Sequence, residues 1–74
     1  MKFHLNNIES QRLAALPAGS KVKVVPYQSS PIRYRAVAVV RGPLVVINNM
    51  VDAPRLWLAT ARKEFPHLTY TEVI

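Results

Sequence analysis

Cysteine is absent, and the two histidines, His4 and His67, stand at opposite ends of a 74-residue chain. That removes thiolate nucleophiles, disulfides and any Cys-based zinc or iron–sulfur site. No third ligand stands at a metal-binding spacing from either histidine. Ser10, Ser20, Ser29 and Ser30 lack the glycine-flanked elbow that presents a nucleophilic hydroxyl. Two glycines cannot build a phosphate-cradling loop or a dinucleotide fingerprint. Of the four carboxylates, Glu9 and Asp52 read as helix caps and Glu64 as an exposed helix residue. One enzyme class needs no signature, the small basic ribonuclease toxins, whose chemistry His4, Arg33, Arg35 and Tyr70 would imitate. The expectation is a chain that is not an enzyme, with no catalytic residue, no cofactor and no metal.

The binding inventory is richer. Ten Lys and Arg against four Asp and Glu give a formal charge of +6, which favours anionic partners such as nucleic acid, phospholipid headgroups or an acidic protein face. The cations are scattered, so a disordered basic arm is not expected. Lys21, Lys23, Arg33 and Arg35 alternate along two β-like segments, with Tyr27 and Tyr34 close by. If the segments pair, the four cations share a face. Such a face suits phosphates with stacked bases and equally an acidic protein, gripped by Arg forks. A solvated outer sheet face, the ordinary fate of alternating lysines, is the plain alternative. No second helix makes a helix-turn-helix, and no aromatic pair of the RNA-recognition kind lies on a central strand. The candidate partner-binding set is therefore Lys21, Lys23, Tyr27, Arg33, Tyr34 and Arg35, with one of the tyrosines supplying packed area at its centre.

These residues need elements to hold them. Asn6 with Glu9 three positions on spells a capping box, which predicts a short helix over 10–16, stopped by Pro17-Ala18-Gly19. From Lys21 the period falls to two, predicting a strand over 21–24 that Pro26 ends and a loop over 28–31. A second strand, 32–40, alternates Arg33, Arg35, Val37, Val39 and Arg41 against Ile32, Tyr34, Ala36, Ala38 and Val40. Both its faces turn apolar toward its C-terminal half, as in a central strand covered on both sides. Arg41-Gly42-Pro43 is a turn, 44–47 a third strand, and Asn48-Asn49 its end. Asp52-Ala53-Pro54 reads as a helix start, Asp52 being the cap. Trp57, Leu58, Ala61 and Phe65 make the apolar stripe of a helix over 56–65. Pro66 ends it, and 68–74 is a last strand. The expected fold is α+β: a small, mostly antiparallel sheet of three to four strands, packed by one main helix, with a short N-terminal helix, in one domain spanning 1–74. A chain this short buries only about 60% of its unfolded surface. Phe3 and Leu5 ahead of the first helix would cover the sheet or help form a docking site completed by a partner.

The Met1-Lys2-Phe3-His4-Leu5 opening, the basic body rich in Ala, Val, Arg and Pro, the length and the lack of Cys together resemble the small host-takeover proteins of lytic bacteriophages. Within them the chain is similar to the short RNA-polymerase-binding inhibitors and antiterminators of the kind carried by Xanthomonas phages. The resemblance implies a transcription regulator that binds the β′ subunit of bacterial RNA polymerase. Such a protein blocks promoter-dependent initiation by the host enzyme and lets elongating polymerase read through terminators. A nucleic-acid-binding regulator is the alternative, with weak nucleic-acid contact expected beside the protein partner. No apolar run approaches the ~20 residues of a membrane span, and the first residues lack the apolar stretch of a signal peptide. A monomer in the host bacterial cytoplasm, without membrane contact, is expected.

Overall fold

The computed structural model describes residues 3–27 and 30–74, with the backbone alone at Tyr27 and over 30–32. Its elements run α1 (Asn7–Ala15), β1 (Lys21–Tyr27), β2 (Ser30–Val39), β3 (Leu44–Val51), α2 (Pro54–Glu64) and β4 (Thr69–Glu72). The protein is α+β, and its four strands form one sheet in the order β3-β2-β1-β4. β1 pairs β2 and β2 pairs β3 antiparallel. β4, returning from α2, lies parallel to β1. The sheet is therefore mixed, with its one parallel pairing supplied by a helical crossover, as that geometry requires.

α1 forms because its N-terminus is capped twice over. The Asn6 side chain accepts from the Glu9 N–H at 2.8 Å, and Glu9 reaches back to accept from the Asn6 N–H at 2.9 Å. Leu13 and Leu16 turn inward while Ile8 stays largely exposed. α2 starts differently from the expectation. Ala53, not Asp52, is its N-cap, without a side-chain bond, and Pro54 fills the first turn. Proline at that position needs no N–H partner and has the helical φ already set. Trp57, Leu58 and Ala61 are buried as the stripe requires, whereas Phe65 closes the helix and is only partly buried.

All four strands depart at an end from the expected bounds. β2 begins at Ser30 rather than 32, within the expected loop, because the β1–β2 ladder extends to the pairing of Tyr27 with Ser30. β1 continues through Pro26 to Tyr27. β4 stops opposite Val24, so beyond that point β1 has a free edge, where a residue without an N–H is tolerated. β3 continues through Asn48 and Asn49 to Val51, with two register irregularities against β2. The Asn48 side chain accepts from the Met50 N–H at 3.0 Å, so a local bond stabilises the bulge rather than ending the strand. β4 is shorter than expected, four residues rather than seven.

Both helices lie on one face. Val22, Val24, Ala36, Ala38, Ile47 and Val51 from the sheet form a single core with Leu13, Leu16, Trp57, Leu58, Ala61 and Leu68. Phe3 and Leu5 pack against the same core, without forming a strand. β2 is thus covered by helices on one side only, not on both. Val37, on the other side, is nonetheless 1% exposed. Its neighbours on that side are Lys23, Arg35, Val39 and Val46, whose aliphatic parts are placed to shield it.

Candidate functional site: the uncovered sheet face

The helix-free face is laid out by register. One row reads Leu44–Val39–Lys21–Thr69 across the sheet, and the next Val46–Val37–Lys23–Thr71. In the third row Arg35 stands beside Val25. Arg33, exposed, lies two residues before Arg35 on β2 and on the same side by strand alternation. Lys21, Lys23, Arg35 and Arg33 thus follow the β1–β2 seam. Successive cations on one strand are about 7 Å apart, two residues of extended chain. Beside them Val39, Val46 and the half-exposed Leu44 make an apolar strip two strands wide.

The acids are sorted to one side of the molecule, while cations occur on both. Among the described residues no carboxylate occupies a strand position on the uncovered face. Glu72 lies opposite Val24, on the helical side, where Arg55 approaches it at 3.5 Å in an exposed pair. Glu64 belongs to α2, and Asp52 follows β3. Glu9 is buried, at 6% exposure, and its carboxylate is fully occupied. It accepts from the Asn6 N–H, from Asn48 Nδ2 and from the Trp57 Nε1–H at 3.3 Å. One side chain therefore joins α1, β3 and α2, a role the sequence reading had limited to capping.

Tyr34 is not part of this face. It pairs with Pro26 and Val51, packs against the core, and lines a shallow recess of about 310 Å³ with Ala53, Pro54, Arg55 and Ile74. The Tyr27 backbone pairs with Ser30 at the end of the hairpin, and its side chain lies outside the described residues. Phe3, Tyr34, Trp57, Phe65 and Tyr70 all belong to the core or pack against it, so every described aromatic is on the helical side. The alternation Arg33–Tyr34–Arg35 had already put Tyr34 opposite the cations, and the cationic face has no described aromatic at its centre.

The residues that would imitate a ribonuclease are likewise not brought together. Tyr70 lies opposite Val22 on the core face, whereas Arg35 stands beside Val25 on the other. The Tyr70 hydroxyl donates toward the carbonyls of Ala61 in α2, at 2.9 Å, and of its C-cap Phe65, at 2.8 Å. Burial pushes its phenol up from 10.0 to about 12, a rise that the positive charge of Arg62 partly opposes. His67 is exposed, its Nε2 3.2 Å from the Leu16 carbonyl, and His4 is exposed near the N-terminus.

The sheet edges are the other places where a partner would add. Along β3, Arg12 Nη1 donates to the carbonyls of Ile47 at 3.0 Å and Val46 at 3.3 Å. With the bulges, this interrupts part of the β3 edge that strand addition would need. Among the described residues no cluster of His, Asp and Glu is arranged to hold a metal ion, and no helix is long and apolar enough to cross a membrane. No protein-family model, curated protein or solved structure matches this chain.

Proposed function

We propose that this chain is a non-enzymatic transcription regulator of the phage host-takeover kind, working in a bacterial cytoplasm by docking onto RNA polymerase. Its uncovered sheet face seats on an acidic surface of the β′ subunit, blocking promoter-dependent initiation and promoting read-through of terminators. The polymerase assignment rests on the sequence resemblance. The docking mode rests on one observation: the cations Lys21, Lys23, Arg33 and Arg35 share a face without a carboxylate, while the acids lie elsewhere. A one-signed face of this kind accelerates encounter with an acidic partner and orients it.

A nucleic-acid regulator would use the same cations. Base stacking, the sequence-tolerant part of such binding, needs aromatic platforms, and the described aromatics are all turned to the core side. Protein docking is therefore the reading that the described aromatics favour.

Purified bacterial RNA polymerase, nuclease-treated, is the test partner. Saturable binding at physiological salt, lower promoter-dependent transcript yield and increased read-through are expected. Arg33→Ala with Arg35→Ala should weaken binding about tenfold or more, mainly through slower association, with the domain still folded. Absence of polymerase binding, with salt-sensitive binding to generic RNA or DNA instead, would replace this reading with the nucleic-acid one.

A further inference from the structure

The cations on the uncovered face border an apolar strip, and the two features together restrict what shape of partner fits. Across the sheet a threonine column (Thr69, Thr71) is followed by the lysine column (Lys21, Lys23). Next come a valine column (Val39, Val37) and the Leu44–Val46 column. Columns are about 4.8 Å apart. The two apolar columns with the lysines span ~10 Å, the width of one α-helix with its side chains. Leu44 is 52% exposed in this strip, an apolar group that neither a phosphate chain nor a purely acidic surface would reward.

An extended peptide is a poor occupant. The interior of a sheet face offers no free backbone groups, so a strand laid on it would leave its own N–H and C=O groups unpaired at the contact. Strand addition needs a sheet edge, which lies off this face, and on β3 the carbonyls of Val46 and Ile47 are taken by Arg12. A helix brings its backbone already satisfied and presents only side chains. Along a helix, residues four apart are separated by ~6 Å, close to the ~7 Å step between Lys21 and Lys23.

We infer that the uncovered face receives an amphipathic α-helix of its partner, with apolar residues at i and i+4 on Val39, Leu44 and Val46 and Asp or Glu flanking them over Lys21, Lys23 and Arg35. This deepens the docking reading and rests on it. In this arrangement the apolar strip sets how long the complex lasts, and the cations set how fast it forms and which helices are admitted.

The test uses the full chain and a synthetic 15-residue helical probe with two leucines at i and i+4 and flanking glutamates. Two comparison ligands carry the same charge: the probe with both leucines changed to serine, and a single-stranded RNA. Amide shifts mapped by NMR should centre on β1, β2 and the Leu44–Val46 segment. Leu44→Ser should weaken the leucine probe about tenfold through faster dissociation, while the melting temperature holds because Leu44 lies outside the core. Lys21→Ala with Lys23→Ala should instead slow association and flatten its salt dependence. Failure of the leucine probe to bind would overturn the inference, as would equal binding of the serine probe or RNA, or indifference to Leu44→Ser. A leucine probe that binds as expected beside a polymerase that does not would retain the helix-binding face and refute the polymerase reading alone.

Discussion

Replacing Glu9 tests whether a single buried carboxylate holds the two helices to the sheet. Glu9→Ala leaves Asn48 Nδ2 and the Trp57 Nε1–H without their acceptor and removes half of the α1 capping box. A buried donor left unsatisfied costs about 1–3 kcal/mol, so the buried Trp57 N–H, the part-buried Asn48 amide at a smaller penalty and a weakened cap come to roughly 2–5 kcal/mol. A domain of this size has only about 4–11 kcal/mol of stability in total, and the alanine variant should lose a large share of it. Glu9→Gln keeps one acceptor oxygen for Trp57 and Asn48 but sets an amide donor against the Asn6 N–H. It also relieves the desolvation of a buried charge, which offsets part of the loss. Its net cost should be about 1 kcal/mol, a fall of roughly 4–8 °C in melting temperature. Urea unfolding followed by Trp57 fluorescence is the assay, Trp57 being the sole tryptophan. A Glu9→Ala stability within 1 kcal/mol of wild type would refute the reasoning. Equal losses for Ala and Gln would show that charge, not the acceptor positions, matters.

Two further stability predictions follow from the backbone and from Tyr70. The neutral Tyr70 phenol is the form the fold favours, so its contribution is complete below pH 10, the unfolded value. It is lost as pH rises toward about 12, because the unfolded chain gives up its proton first. Tyr70→Phe should lower stability at pH 7 by about 1 kcal/mol, and alkaline melting curves should show a shallower decline for the variant than for wild type between pH 10 and 12. Gly42 has φ +107°, with nothing within 4 Å of the position a Cβ would take. Gly42→Ala should therefore cost about 1–2 kcal/mol through backbone strain alone. A synthetic chain with D-alanine at position 42 should escape that loss, and an equal loss for both would point to a steric cause instead.

The sequence made the two-sided elements readable and left the assembly open. Period-two runs at Lys21–Val24 and Arg33–Val39 revealed their faces because each strand has one wet side, and Asn6 and Glu9 spelled the α1 cap because capping is local. The cations of the candidate site were readable for the same reason. The destination of Glu9 was not, since Asn48 and Trp57 lie 39 and 48 residues away. The parallel position of β4 depends on where α2 lands, and its short run is equally compatible with either edge of the sheet. Asn48 and Asn49 carry ordinary turn chemistry, yet here the Asn48 side chain accepts the Met50 N–H and β3 goes on. Tyr34 shows the reverse case, where strand alternation was a better guide than nearness in sequence.

Placing nearly all of the core on one side of the sheet also separates two kinds of heritable change. The exposed residues of the bare side, such as Lys21, Arg33 and Leu44, lie outside that core and can be exchanged with little effect on how the chain folds. A lineage can thus change the groups offered at Lys21, Arg33 and Leu44 at little expense to the fold. The interior built around Trp57 and Leu13 has no such freedom, because each exchange there is felt by close-packed neighbours. Among distant relatives of this protein, the inner pattern should persist after the outer one has been rewritten.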